Sequence, residues 1–210
     1  MRLFLIRHGE TEAKRDVFKG MTDFALSEKG IKQMEALAQV LPAIDAIFCS
    51  DLKRARDGAA IIGREKGLSP TVDPRLRERN FGIFEGLTPE QIRERVPGGF
   101  EAWLNDPVGY TPPGGESTRR MRRRVVLALR SVREEHLKRQ DAKVAIVTHL
   151  GVIRIIIAEV LSMPLRHIFR IAHDLGAVSV VDFFEDFAQL RLLNYLPCFE
   201  SSSTSLLNSL

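Results

Sequence analysis

Apolar residues along the chain fall into two alternating patterns: short unbroken runs, and longer stretches with a period of three to four. Arg2 to Ile6 (RLFLI), Ala43 to Cys49 (AIDAIFC) and Lys143 to Thr148 (KVAIVT) are runs of the first kind and read as buried strands. Between them lie helical patterns. Ser27 caps a helix to about Leu41, with Ile31, Met34, Leu37, Ala38 and Leu41 on one face. Asp51 to Lys66 reads as a second helix, closed by Gly67. Ser69 to Val72 follows as a short strand. Thr88, Pro89 and Glu90 supply a cap, a first-turn proline and a first-turn acid for another helix. Phe100 to Leu104 is a short helical piece, and Glu116 or Ser117 opens a long helix to about Arg139. Gly151 to Leu161 is helical and apolar on most faces. Segments near Ile168–Ala172, Ala177–Phe184 and Gln189–Asn194 read as strands. The Ser-rich stretch from Cys198 onward is expected to be disordered.

Strand and helix in alternation predict an α/β fold: a mainly parallel sheet sandwiched between helices. One domain is expected over residues 1–196, with a small insertion around 87–113 and a tail from 197 to 210. In such sheets ligands bind beyond the carboxyl ends of the strands. After the first strand stand Arg7, His8 and Gly9. After the second come Ser50 to Arg54, and after KVAIV come Thr148, His149 and Leu150. Two histidines and two arginines therefore face one rim. Either imidazole alone reads as a strand-end or structural histidine; the coincidence of four such groups favours a site.

Composition narrows the setting. With 210 residues, 44% of them hydrophobic, the chain can bury one substantial core. No apolar run approaches the ~20 residues that span a bilayer, and Leu3–Ile6 is too short for a signal-peptide core, so a cytoplasmic address without membrane contact is expected. Two cysteines, Cys49 and Cys198, are too few for a disulfide framework or a zinc site and read as ordinary buried or partly buried thiols. A net charge of +4 and a pI near 9.3 favour acidic partners. Nucleic acid is disfavoured among these, because the basic residues are interleaved with acids and lack stacking aromatics. The run Arg119–Arg124 reads as a solvated helix start, interrupted inward by Met121 and followed by Val125. Glu116 and Arg120 form a supportive helical spacing within it.

Two guanidiniums beside two imidazoles make a poor metal site and a good oxyanion site, since arginine's fixed fork matches phosphate. Neighbouring cations also lower a histidine's pKa and leave it a neutral nucleophile. The chemistry that follows is attack by His8 on phosphorus, with Arg7, Arg54 and His149 holding the oxygens of the transferring group. Such a reaction needs a proton donor for the leaving oxygen. Within Leu76–Gly86 the choice is Glu78, with Phe81 and Phe84 near enough in sequence to desolvate it; a surface ion pair among Arg75, Arg77 and Arg79 is the competing reading. Glu85, followed by Gly86, reads as a capping or turn residue. His136, His167 and His173 are read as non-catalytic. His173 is the nearest of them to the rim, beside Asp174 and Gly176.

The pentad Arg7-His8-Gly9-Glu10-Thr11 resembles the signature of the histidine phosphatase superfamily, the phosphoglycerate mutase-like group. Further motifs follow in that family's order: Phe18–Asp23, Leu26–Gly30, Ser50–Ala55, Leu76–Gly86, Pro113–Ser117 and Val147–Gly151. The resemblance runs from Met1 to about Asn194. It implies that His8 is the nucleophile, that Arg7, Arg54 and His149 bind phosphate, and that Glu78 donates the proton. It implies no metal or organic cofactor, a small phosphorylated substrate and inorganic phosphate as product. The stretch from Glu101 to Ser117 looks most like α-ribazole phosphatases, which act in cobalamin biosynthesis. A phosphoglycerate mutase or a broad-specificity phosphatase of the same family is the alternative. Ala13 and Lys14 stand where the family often has Trp-Asn, so Lys14 either replaces a phosphate contact or points to solvent. Lys19 replaces a small polar residue before Gly20, and Leu150 replaces a glycine after His149. Lys14, Lys19, Gly20 and Leu150 are accordingly candidate substrate contacts, Leu150 narrowing the mouth.

Overall fold

Six strands form one mixed sheet in the order β3-β2-β4-β1-β5-β6. The computed structural model describes residues 1–14, 16–139 and 141–197. The four parallel strands are β1 (Arg2–Arg7), β2 (Ala46–Cys49), β3 (Thr71–Val72) and β4 (Lys143–Thr148). Beyond β1 the sheet turns antiparallel with β5 (Val178–Phe183) and β6 (Ala188–Tyr195). Strand alternation sends Leu3 and Leu5, with Val144 and Ile146, into one apolar layer. Phe4 and Ile6, with Ala145 and Val147, enter the other. Each layer is covered by helices, so the three-layer arrangement expected from the pattern is the one observed. Helices α1 (Glu28–Val40) and α2 (Lys53–Lys66) cover one face. Helices α5 (Thr118–His136) and α6 (Leu150–Val160) cover the other.

Local signals account for the helix ends. The Ser27 side chain accepts from Gly30 N at the start of α1. Gly67 closes α2 in the left-handed region at φ 68°, where a glycine is unstrained. Thr88 and Gln91 form a reciprocal capping box at α3 (Pro89–Arg95). With α4 (Gly99–Asn105), this helix builds a small separate apolar cluster around Phe84, Ile92 and Phe100, flanked by Phe18 and Trp103. The cluster lies over the carboxyl ends of the parallel strands, where Phe18 and Trp103 reach the same cavity as His8.

Two expectations differ from the structure. Ile168–Ala172 is not a strand: Leu165–Arg170 is a 3₁₀ turn. Both edges of β1 are already taken, by β4 and β5, and Ile168 and Ile171 are buried three residues apart, the period of a 3₁₀ helix. Ile31 is 40% exposed, not on the core face of α1. Gly30 takes the inward position, because a Cβ there would collide with the Glu10 backbone. The sheet is mainly parallel as expected, in three of its five pairings, with β5 taking part in both antiparallel ones. Cys49 is buried, and burial pushes its thiol up to about 12. Cys198 and the Ser-rich stretch lie outside the described residues. No described helix is long and apolar enough to cross a membrane.

Candidate active site

The end of β1 is fixed by backbone contacts before any side chain acts. His8 N donates to Thr148 O at 3.0 Å, and Gly176 N donates to both Arg7 O and His8 O at 3.2 Å. A Cβ at Gly9 would collide with the Gly30 backbone, so only glycine lets β1 run this close to α1. The His8 ring is thereby turned into a cavity of about 530 Å³ at the rim of the sheet. Its Nδ1 lies 2.7 Å from Gly9 O. A carbonyl only accepts, so Nδ1 carries the proton and the Nε2 lone pair is free.

His149 arrives from β4, the strand beside β1, and caps α6 through its backbone. The two rings meet with centroids 5.1 Å apart at 61°. His8 is 5% exposed and His149 is fully buried. Neither ring nitrogen of His149 has a hydrogen-bond partner among the described residues. Burial, then the charge of Arg54, drives both imidazoles well below their ordinary pKa; Arg7 adds to the effect on each.

Arg54 sits in the first turn of α2 and is 1% exposed. Its guanidinium donates to Thr22 O at 2.8 Å and Gly20 O at 2.6 Å. Nε of Arg54 and Nε of Arg7 have no partner among the described residues. Arg7 donates through one terminal nitrogen to the His173 carbonyl. Each arginine is thus clamped by backbone oxygen on one side, with donors left over beside the cavity. His173 itself is buried, with its pKa lowered to about 4 chiefly by burial, and it does not line the cavity.

Glu78 enters from the loop between β3 and α3. Its Oε1 accepts from Arg79 N at 2.8 Å and its Oε2 from Gly151 N at 3.1 Å. Phe81 lines the same cavity, whereas Phe84 faces the small apolar cluster instead. Glu85 takes the turn role: its oxygens accept from Met21 N, Phe81 N and the Thr22 hydroxyl at 2.9, 3.0 and 2.7 Å. That staple holds the Gly20–Thr22 loop whose carbonyls grip Arg54.

Lys19, Gly20 and Leu150 line the cavity with Arg7, His8, Arg54 and Glu78. His149 packs against the His8 ring with both its own ring nitrogens unpartnered among the described residues, although it is not itself part of the lining. Lys14 is exposed and outside the lining, so the structure does not bring it to the other candidates. Upstream of it, Thr11 bridges Leu26 and Glu12 N donates to Ala25 O at 3.2 Å. Several lining residues escaped the sequence reading. Arg154, on α6, donates through Nε to Ile171 O at 2.8 Å and lies 5.2 Å from the Phe169 ring centroid. Its signal was present as the single cation in the apolar run Leu150–Ala158. Trp103 and Phe169 form an aromatic wall, with centroids 6.4 Å apart. Their meeting across the cavity leaves no trace in sequence spacing. Of the charged lining groups, Arg7, Lys19, Arg54, Arg79 and Arg154 are cationic, while Asp16 and Glu78 are anionic. An anion is the ligand this balance accommodates; metal donors here would share the space with repelling guanidiniums.

The histidine phosphatase superfamily (branch 1) profile matches residues 3–196. The adenosylcobalamin/α-ribazole phosphatase of Salmonella typhimurium is 33% identical over 202 residues, covering 92% of this chain and 96% of that one. The glucosyl-3-phosphoglycerate phosphatase of Mycobacterium tuberculosis is 37% identical over 182 residues, covering 79% and 78%. Among solved structures, the α-ribazole phosphatase of Shigella flexneri superposes with a TM-score of 0.86 at 31% identity, covering 93% of this chain and 96% of that one.

Proposed function

The chain belongs to the histidine phosphatase superfamily, and from that premise we propose that it hydrolyses a phosphomonoester through a phosphohistidine on His8. The observation that carries the reading is the pair of neutral imidazoles 5.1 Å apart, set among two buried guanidiniums with spare donors. In the first half-reaction the His8 Nε2 lone pair forms a bond to phosphorus and the ester P–O bond breaks. Glu78 gives its proton to the departing alcohol oxygen. In the second, Glu78, now a carboxylate, takes a proton from water as the water oxygen bonds to phosphorus and the P–N bond breaks. Inorganic phosphate leaves, His8 is neutral again and Glu78 has its proton back. Arg7, Arg54 and His149 donate to the oxygens of the transferring group, where charge is redistributed in each transition state.

The direct experiment is His8→Ala assayed on an aryl phosphate. Turnover should fall by at least about 10⁴-fold, the scale of losing a nucleophile that acts as part of a unit. Wild-type turnover in this variant would overturn the reading. The mechanism asks nothing of a metal, so a chelator should leave turnover intact. A phosphoenzyme that persists in water would instead favour a mutase.

For the leaving group, the reading is α-ribazole 5′-phosphate, a step of cobalamin assembly. Its support is the likeness to named α-ribazole phosphatases at 31–33% identity and an apolar wall of Trp103, Phe169 and Phe81 suited to a flat heterocycle. Arg154 and Lys19 favour a second reading, a phosphomonoester that also carries a carboxylate. Glucosyl-3-phosphoglycerate, the substrate named for the mycobacterial relative, has such a group. A screen of kcat/KM over α-ribazole 5′-phosphate, phosphoglycerates, nucleotide monophosphates and sugar phosphates separates the two. Arg154→Met should lower only the carboxylate-bearing values if the second reading holds.

A further inference from the structure

We propose that Arg124, paired with Glu116, is a positioning residue that holds the loop of Glu78 in register with His8. The proposal rests on Glu78 acting as proton donor, and it assigns a role to one member of the basic run at the start of α5. Arg124 does not face solvent as Arg119, Arg120 and Arg123 do. Its guanidinium donates to three main-chain carbonyls of the acid loop: Arg75 O at 2.8 Å, Arg77 O at 2.6 Å and Glu78 O at 2.9 Å. Its Nε donates to Glu116 Oε2 at 3.1 Å, and a terminal nitrogen also donates to Glu116 Oε1. Glu116 closes the other end of the loop: its Oε1 accepts from Asn80 N at 3.1 Å, and its backbone exchanges hydrogen bonds with Asn80 O and the Arg79 side chain. The pair's side chains are only 18% and 8% exposed.

From Arg75, in the single 3₁₀ turn Pro74–Leu76, to Asn80, three carbonyls are therefore held by Arg124 of α5 and the Asn80 carbonyl by Glu116 N just ahead of that helix. Leu76 O accepts from the Thr148 hydroxyl at 2.7 Å, one residue before His149. Glu78 is then aimed by its side-chain bonds to Arg79 N and Gly151 N. A loop held this way keeps its carboxyl within reach of the leaving oxygen without relying on substrate to order it. Only a planar fork reaches three carbonyls and a carboxylate at once; a lysine ammonium offers three donors from a point.

The test uses leaving-group dependence, which a loss of folded protein alone does not alter. A 4-nitrophenolate departs with little help from an acid, whereas an alkoxide needs the proton. Arg124→Lys keeps the charge pair with Glu116 and surrenders the fork. Its kcat/KM for an alkyl phosphate should fall at least about tenfold further than for 4-nitrophenyl phosphate, a modest share of what general acid catalysis supplies. Arg124→Met should widen the gap, and Glu116→Gln should show it in smaller measure. Each rate is normalised to the phosphoenzyme formed in a single turnover, so a variant that folds poorly still reports the ratio. Equal losses on both esters in Arg124→Lys would overturn the positioning role. Glu78→Gln is the control: if it too leaves the ratio unchanged, the failure belongs to Glu78 as proton donor; if it changes the ratio and Arg124→Lys does not, the failure belongs to Arg124 alone.

Discussion

The proposed attack on phosphorus needs an unprotonated imidazole, and the pKa of His8 is held down first by burial and then by Arg54 and Arg7. The acidic limb set by His8 should therefore lie well below pH 6.5 in single-turnover phosphoenzyme formation. Arg54→Met removes the largest of the nearby charges, so the limb should move up in pH while the maximal rate also falls. A limb that stays put would mean that Arg54 does not govern the protonation of His8. The same depressed values reach into stability. The folded protein holds His8, His149 and His173 below their unfolded pKa, the last at about 4, so below about pH 6.5 the unfolded chain binds more protons. Stability is present above that pH and is lost as pH falls, by about 1.4 kcal/mol per pH unit for each histidine until its folded value is reached. For His173 the window runs from 6.5 down to about 4. Urea midpoints measured at pH 7.5, 6 and 5 should decline steadily, and His173→Phe should flatten the decline.

At the scale of elements, the site depends on how closely strand ends approach helix starts. Gly9 on Gly30 joins the end of β1 to the start of α1 in this way, and Gly151 at the start of α6 stands as close to Glu78 of the loop between β3 and α3. A Cβ at Gly151 would collide with Glu78 Oε1, the far end of a flexible side chain, so the backbone need not move. Gly151→Ala should consequently leave thermal stability unchanged, or raise it by up to about 1 kcal/mol, because alanine is the better helix former. Turnover should nonetheless fall by about tenfold or more, since Glu78, the proposed proton donor, is pushed off its two amide partners. Activity and melting temperature measured on the same preparation check both halves. Intact turnover would mean that the position of Glu78 is not critical. The element boundaries were largely legible because capping chemistry is local: Ser27, Gly67 and Thr88 mark their helix ends in the order the structure shows. The segment at Ile168 was misread because a short apolar run has no period long enough to separate a strand from a 3₁₀ turn. In the structure Ile168 and Ile171 bury themselves at a spacing of three, as a 3₁₀ turn does.

For the whole molecule, the excess of cationic groups in the cavity that holds His8 implies that an anion bound there stabilises the fold. Inorganic phosphate at 100 times its dissociation constant should add about 2.7 kcal/mol, which for a domain of this size is a rise in melting temperature of about 5–10 °C. Arg54→Met should abolish most of that rise, and a rise that survives would place the phosphate elsewhere. The strand-ending pairs Arg7-His8 and Thr148-His149 were legible from sequence alone, because a buried parallel strand is an unbroken apolar run and its end is where chemistry can surface. Local order along the chain determined the strands, the caps and the residue types delivered to the rim. Only the tertiary structure decided that Lys19 faces the cavity and Lys14 does not, that Arg154 and Trp103 join from distant helices, and that Arg124 is spent on the backbone of the acid loop. The physical reason is range: hydrophobic period and capping act within a few residues, whereas the direction a charged side chain takes is set by partners that folding brings from dozens of positions away.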